Sequence, residues 1–178
     1  MNWLFYLSYS FVVYSFLGWC LEEIYSFVTT GFFRKDNFFI GPFKPMYGFA
    51  AVALLFSYEY LGITGLPITI LFFSIPTLIE FITGYLLLRL FNKRYWSYDN
   101  NRFNFKGIIC LKFSVYWSII SAIIVYLIHP YIEGFYFRYV YIMDKVSFMA
   151  IIYMIIDLYI TVKVLCNKKT LNQSRIVN

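Results

Sequence analysis

Apolar stretches long enough to cross a lipid bilayer recur along this chain, and that recurrence restricts its fold more than any other feature. About 20 helical residues cover the roughly 30 Å of hydrocarbon in a membrane. Backbone N–H and C=O groups placed there meet no water, so a crossing segment closes its hydrogen bonds internally, as a helix does. Five stretches qualify in order, at about 3–28, 46–61, 67–91, 108–128 and 146–165, the second being the shortest. Only Gly62 to Leu66 separates the second from the third, and Gly62, Gly65 and Pro67 mark a tight turn there. The first stretch reads as a mature span rather than a signal peptide, because no basic residue precedes it, it carries Glu22 and Glu23, and no small-residue cleavage site follows.

The expected fold is therefore all-α, a polytopic integral membrane bundle of about five transmembrane helices. One transmembrane domain covers 1–166, and a short cytoplasmic tail covers 167–178. Composition agrees, since 61% of residues are hydrophobic and only 13% charged, with a mean hydropathy of +0.68. The spans leave no room for a separate soluble enzyme module.

Lysines and arginines orient such a bundle, because they are retained on the cytoplasmic side during insertion. One set of alternate segments holds Arg34, Lys35 and Lys44, then Arg89, Lys93, Arg94, Arg102, Lys106 and Lys112, then Lys163, Lys168, Lys169 and Arg175. These are 13 of the 15 basic residues, and the other set holds only Arg138 and Lys145. The N-terminus is expected outside and the C-terminus in the cytoplasm. The net charge of +6 is spread over three segments at membrane ends, which fits anionic lipid headgroups and not a nucleic-acid surface. Cys20, Cys110 and Cys166 form no CxxC and read as reduced thiols. No cofactor motif is present and no cofactor is expected.

Charges that a bilayer rejects carry most of the functional information, since a carboxylate near its centre costs at least about 2.5 to 3.5 kcal/mol. Three stand out as a candidate intramembrane polar site: Glu22, Glu80 and Asp157. Either they pair with bases such as Lys112 or Lys163 to fix helix packing, or they handle a substrate or ion. Glu22 and Glu23 point about 100° apart on a helix, so at most one of them shares the interior direction. Gly18 precedes Glu22 by four and Gly84 follows Glu80 by four, so each acid shares a face with a glycine that permits close approach. Ser114, Ser118 and Ala122 form a small-residue contact stripe.

The two longer basic loops resemble each other. One reads Asn37-Phe38-Phe39-Ile40-Gly41 with Lys44 beyond, the other Phe103-Asn104-Phe105-Lys106-Gly107 with Lys112 beyond. Spans one and two then correspond to spans three and four as a parallel repeat, an arrangement used by transporters, or the likeness is the chance self-similarity of aromatic-rich sequence.

Together, Phe16-Leu17-Gly18-Trp19 with Leu21-Glu22, Gly41-Pro42-Phe43 with Pro45-Met46-Tyr47-Gly48, and Glu80 with Thr83-Gly84 resemble the ABC-transporter permease family of the CmpB type. The likeness continues through Trp96, Tyr98, Phe103-Asn104, Gly107, Ile109-Cys110-Leu111, Phe113-Ser114, Trp117 and His129-Pro130. It covers most of the chain from Phe16 to Pro130. The sequence departs from the family pattern at Ser97, Arg102 and Ile108, where an acid, a proline and a polar residue are common. The resemblance implies a permease-like subunit of a transporter in the bacterial inner membrane, its substrate unassigned.

The chain has no GxxxxGK[ST], so ATP-driven transport requires a separate ATPase, and a homodimer or partner subunit would complete the pathway. Lys44, Trp96, Arg102, Asn104 and Lys112 are the candidate cytoplasmic loop contacts. The stretch from Tyr95 to Lys106 would dock the ATPase or pack against lipid. Two other classes remain open. A membrane-embedded enzyme acting on a lipid-linked substrate would use the same carboxylates, although HExxH, GxSxG and paired metal ligands are absent and no catalytic residue is assigned. A non-catalytic scaffold or sensor would show a polar helix face without a cavity. His129, followed by Pro130, is expected to end span four at the interface.

The orientation predicts labelling of intact cells: a cysteine placed at Thr64 reacts with an impermeant maleimide, whereas one at Asn100 reacts only after the membrane is opened. The reverse pattern would invert the topology.

Overall fold

The computed structural model describes residues 2–33 and 37–177, with side chains described through 167. Arg34 and Lys35, and the side chains of Lys168, Lys169 and Arg175, lie outside the described residues. Helix α1 runs Trp3–Thr30, α2 Pro45–Leu55, α3 Gly65–Phe91, α4 Leu111–Ile123, α5 His129–Arg138 and α6 Val140–Val177. The only strands among the described residues are β1, Asn104–Phe105, and β2, Ile109–Cys110. They pair antiparallel with Asn104 opposite Cys110.

Local chemistry explains the boundaries. The Asn2 side chain caps α1 by accepting from the Leu4 N–H at 3.1 Å, satisfying one of the orphan donors of a helix start. Gly31, at φ 76°, ends it by returning its N–H to the Phe27 carbonyl. Pro45 opens α2, where its missing N–H costs nothing.

Two single π-helical turns interrupt the regular pattern, Phe56–Tyr60 after α2 and Ile124–Ile128 between α4 and α5. The second corrects the expectation for His129 and Pro130. Proline has no N–H to donate back into the helix, but the His129 N–H bonds the Ile124 carbonyl, five residues back. The widened turn absorbs the mismatch, so the helix continues through Arg138 and its last turns cover residues expected to be loop. Likewise α6 begins at Val140, before the expected 146, and stays helical through Val177.

Among the described residues, four helical segments are long and apolar enough to cross a membrane: Trp3–Thr30, Gly65–Phe91, Leu111–Arg138 and Val140–Asn167. The expected second span is shorter. Pro45 through Tyr60 make 16 continuous helical residues, about 24 Å at 1.5 Å per residue. It ends where the Ile63 N–H turns back to the Ser57 carbonyl at 3.0 Å.

Helix α1 packs along α2 and α6, while α3 packs along α2 and α4. The largest buried cluster joins Tyr14, Ala51, Leu54, Leu55, Ile68, Phe72 and Val125 from four of these segments. The periphery is as apolar as the interior: Leu66, Leu78, Met149 and Ile155 are among the exposed side chains, the inversion expected of a surface that meets lipid. The 37–44 and 92–110 segments lie at one end of the bundle, the loop end, and the Gly62 turn lies at the other, the hairpin end. Both halves run in the order long helix, loop, second helix, π turn.

Helix α2 comes close to the α1 backbone at Gly48, where an added Cβ would sit 2.6 Å from the Phe11 carbonyl oxygen. Gly48→Val should therefore cost about 1 to 3 kcal/mol in detergent unfolding. Gly134→Ala, with open space around it, should hold or raise stability by up to about 1 kcal/mol. Equal unfolding curves for the two variants would contradict the packing at Gly48.

Candidate functional site

Glu80 is buried on α3 and takes two neutral donors, the Tyr98 hydroxyl on Oε1 at 2.8 Å and the Trp117 indole N–H on Oε2 at 3.3 Å. Trp117 comes from α4. Tyr98 comes from the loop, and the loop's own hydrogen bonds fold it inward. The Tyr98 N–H donates to the Gly107 carbonyl at 2.8 Å, and the Asn104 side chain donates to Asn101 O and accepts from Gly107 N–H. The Trp96 indole donates to Ile108 O at 2.9 Å. Gly84 makes room for this return, since a Cβ there would sit 2.5 Å from Ile108 and 3.0 Å from the Trp96 ring. Burial, then the Glu80 carboxylate, push the Tyr98 phenol up, so it stays a donor.

Glu22 lies across the same interior. Lys44 forms an ion pair with it, and the Tyr47 hydroxyl donates to its Oε1 at 2.8 Å. Tyr47 reaches it by lying over Gly18, where any Cβ would overlap the ring. The glycine expected to admit a backbone thus admits an aromatic side chain. Tyr47 and Trp117 meet edge to face at 5.5 Å. Lys44, Glu22, Tyr47, Trp117, Glu80 and Tyr98 form one continuous polar and aromatic chain across four helices and the loop.

Asp157 stands apart from it. Its carboxylate accepts the Ile40 and Gly41 backbone N–H groups at 3.1 and 2.8 Å and the Thr161 hydroxyl at 3.2 Å. This fastens the first loop to α6 and satisfies backbone donors that have no helix to join. Of the three carboxylates singled out by sequence, the structure brings Glu22 and Glu80 together and assigns Asp157 to the loop.

Two cavities flank the chain of polar groups. The larger, about 490 Å³, lies among α1, α2, α3 and α4. Its wall is apolar apart from a few groups, with Glu80, Tyr47 and Trp117 toward the loop end and Tyr14 toward the hairpin end. The smaller, about 240 Å³, opens at the loop end beside Glu22, Lys44, Asn37 and Trp96. Met46 lines both. The volume of the larger falls within the about 300 to 1,000 Å³ typical of small-molecule sites. Among the candidate loop contacts, Lys44 and Trp96 face this interior and Asn104 braces the loop. Arg102 and Lys112 are exposed.

A second polar cluster closes the hairpin end, and sequence reasoning missed most of it. His129 is buried between α1 and the π turn of α2. Its Nε2 lies 2.7 Å from the Tyr6 hydroxyl and 2.9 Å from Glu59 Oε1, and its Nδ1 lies 3.0 Å from the Tyr14 hydroxyl. Tyr6 donates to Glu59 Oε2 at 2.9 Å. The available signal was Glu59 itself, the one charged residue within 46–61. Because Tyr6 gives its single proton to Glu59, its oxygen accepts from His129, and Nε2 carries hydrogen. Nδ1 is then free to accept from Tyr14, the residue that also lines the large cavity.

The sequence model of the family described as "Putative ABC-transporter type IV" matches residues 9–162. The chain belongs to that family, which makes it a transporter-related, multi-pass membrane component. No curated protein and no solved structure matches it.

The hydrogen-bond directions around His129 are open to measurement because it is the chain's one histidine. Nitrogen-15 NMR of histidine-labelled protein should show the neutral ring to carry its hydrogen on Nε2 and none on Nδ1. A neutral ring protonated at Nδ1 would overturn the assignment.

Proposed function

We propose that the chain is the membrane subunit of a transporter driven by a separate ATPase, and that the cavity walled by Glu80, Tyr47 and Trp117 is its solute compartment. The observation that supports this is a buried carboxylate on the wall of an otherwise apolar cavity of about 490 Å³. A membrane bundle that needed only to pack would exclude both the charge and the space, since each is costly in hydrocarbon. Energy must come from another chain, because this sequence has no P-loop. With four long spans, one copy supplies part of a pathway, and a second copy or a partner subunit supplies the rest.

The same reading sets the protein in a bacterial inner membrane with the loop end in the cytoplasm. There the 92–110 loop presents Arg102, Phe103 and Phe105 outward together with Lys112 of α4. That surface, basic and aromatic at once, suits an ATPase contact. Glu22, Lys44 and the smaller cavity stand between it and the solute compartment.

The test uses proteoliposomes that hold the chain with any co-encoded ATPase, loaded with an extract of cellular solutes and read by mass spectrometry. At least one solute should move in an ATP-dependent manner, and Glu80→Gln should slow it by at least about tenfold while leaving the protein folded. Undiminished movement in that variant would remove the assigned site. Absence of any ATP-dependent movement would remove the transport reading.

A further inference from the structure

Glu80 differs in its partners from Glu22, Glu59 and Asp157. Glu22 holds Lys44, Glu59 holds His129, and Asp157 holds two backbone N–H groups and a hydroxyl. Glu80 holds only a phenol and an indole, and among the described residues no lysine, arginine or histidine nitrogen lies in ion-pair contact with it. Two neutral donors offset part of the desolvation of a carboxylate, and a nearby positive charge would offset more. Both oxygens accept from donors, and a carboxylate has lone pairs left for a further partner.

The cavity beside it is long. Lining residues extend from Met46 to Leu55 on α2, nine steps or about 13 Å at 1.5 Å each, and from Trp117 on α4 to Ile128 in the π turn that follows it. Ala50 and Ala51 keep the α2 wall low, and Leu17, Ile79, Ile120 and Val125 supply apolar surface around it. At the Glu80 end, the Tyr47 and Trp117 rings lie against each other. Aromatic rings next to a carboxylate favour a weakly hydrated cation, through the quadrupole of the ring as well as the charge of the acid. An anionic head would meet Glu80 directly, and an uncharged one would leave it without a counter-charge.

We propose that the cavity binds a single-chain cationic amphiphile, its apolar tail lying along α2 and α4 and its positive head against Glu80, Tyr47 and Trp117. This names the ligand class of the compartment described above and rests on that reading for its part in transport, but the binding is measurable without transport.

Trp117 provides the readout, because a bromine placed next to the head of the bound chain lies against it and quenches its fluorescence. The protein in phosphatidylcholine nanodiscs is titrated with 4-bromoundecyl trimethylammonium, with 4-bromoundecyl sulfate as the probe of equal tail and opposite charge. The ammonium should quench saturably, and the quenched share should vanish in Trp117→Phe. The apparent affinity should fall at least about tenfold for the sulfate and for Glu80→Gln, and Ala50→Phe, which fills the cavity, should abolish binding of either probe. Equal affinity for the two probes, equal affinity in Glu80→Gln, or quenching that survives Trp117→Phe would each overturn the proposal. If Glu80→Gln does not fold, the probe pair on the native chain and Ala50→Phe decide the matter. Binding of the ammonium by a protein that moves no solute would defeat the transport reading and leave this one standing. Transport confined to anionic or uncharged solutes would do the opposite.

Discussion

Everything in this bundle follows from one constraint: a polar group inside hydrocarbon has only the protein to bond with. The small hydroxyls meet it locally, as when Ser15 donates to Phe11 O and Thr77 to Phe73 O one turn back. The carboxylates cannot, because a helix has no spare N–H in its interior. Each must therefore recruit a partner from another segment, and these recruitments fix which segments touch. Asp157 draws the first loop onto α6, Glu22 draws the start of α2 onto α1, Glu80 draws the second loop and α4 onto α3, and Glu59 joins α2 to α5 and α1. Apolar surface alone would give the helices little drive to associate, since lipid tails are as apolar as leucines, and it would specify their register poorly. The Ser10 hydroxyl, fully buried on the same α1 face as Tyr6 and Tyr14, is an exception to the pairing.

The two carboxylate clusters lie at opposite ends of one cavity, and this gives the arrangement a direction. At the hairpin end the contact between His129 Nδ1 and the Tyr14 hydroxyl can reverse. A neutral ring accepts there, whereas a ring that gains a proton must donate, and the Tyr14 hydrogen would then turn elsewhere. Tyr14 lines the cavity, so the His129 cluster meets the compartment wall through a single hydroxyl. At the loop end Tyr47 and Trp117 play the corresponding part, each with its polar atom on a glutamate and its ring against the other.

What could be read from the sequence is what depends on one segment at a time. Apolar length gave the long helices, and charge inside apolar runs gave Glu22 and Glu80, because both signals live in windows of about 20 residues. The second span was legible both as a helix and as the shortest, but not the turn that ends it by returning the Ile63 N–H to Ser57 O. His129 looked like a terminus since Pro130 follows it, and the π turn that carries the helix past that proline leaves no mark in composition. Tyr98 looked like loop surface. Its inward path depends on the Asn104 and Gly107 hydrogen bonds of the hairpin, a pairing of short segments that no apolar period announces. The glycines at 18 and 84 were correctly seen as points of close approach, but only the fold shows rings occupying the space.

The irregular backbone is not scattered. Pro76 breaks the hydrogen-bond ladder of α3 on the cavity wall, and the π turn Ile124–Ile128 contributes Ile124, Val125 and Ile128 to the same wall. The π turn that ends α2 carries Glu59 toward His129, just past Leu55 on the lining. By contrast, α1 is continuous over all 28 of its residues, with neither proline nor π turn. Interrupted helices bend at lower cost than continuous ones, because the bonds that would resist bending are already missing or displaced. Pro76 and the π turn Ile124–Ile128 thus lie on the cavity wall, and the unbroken α1 contributes Tyr14, Gly18 and Leu21 to it.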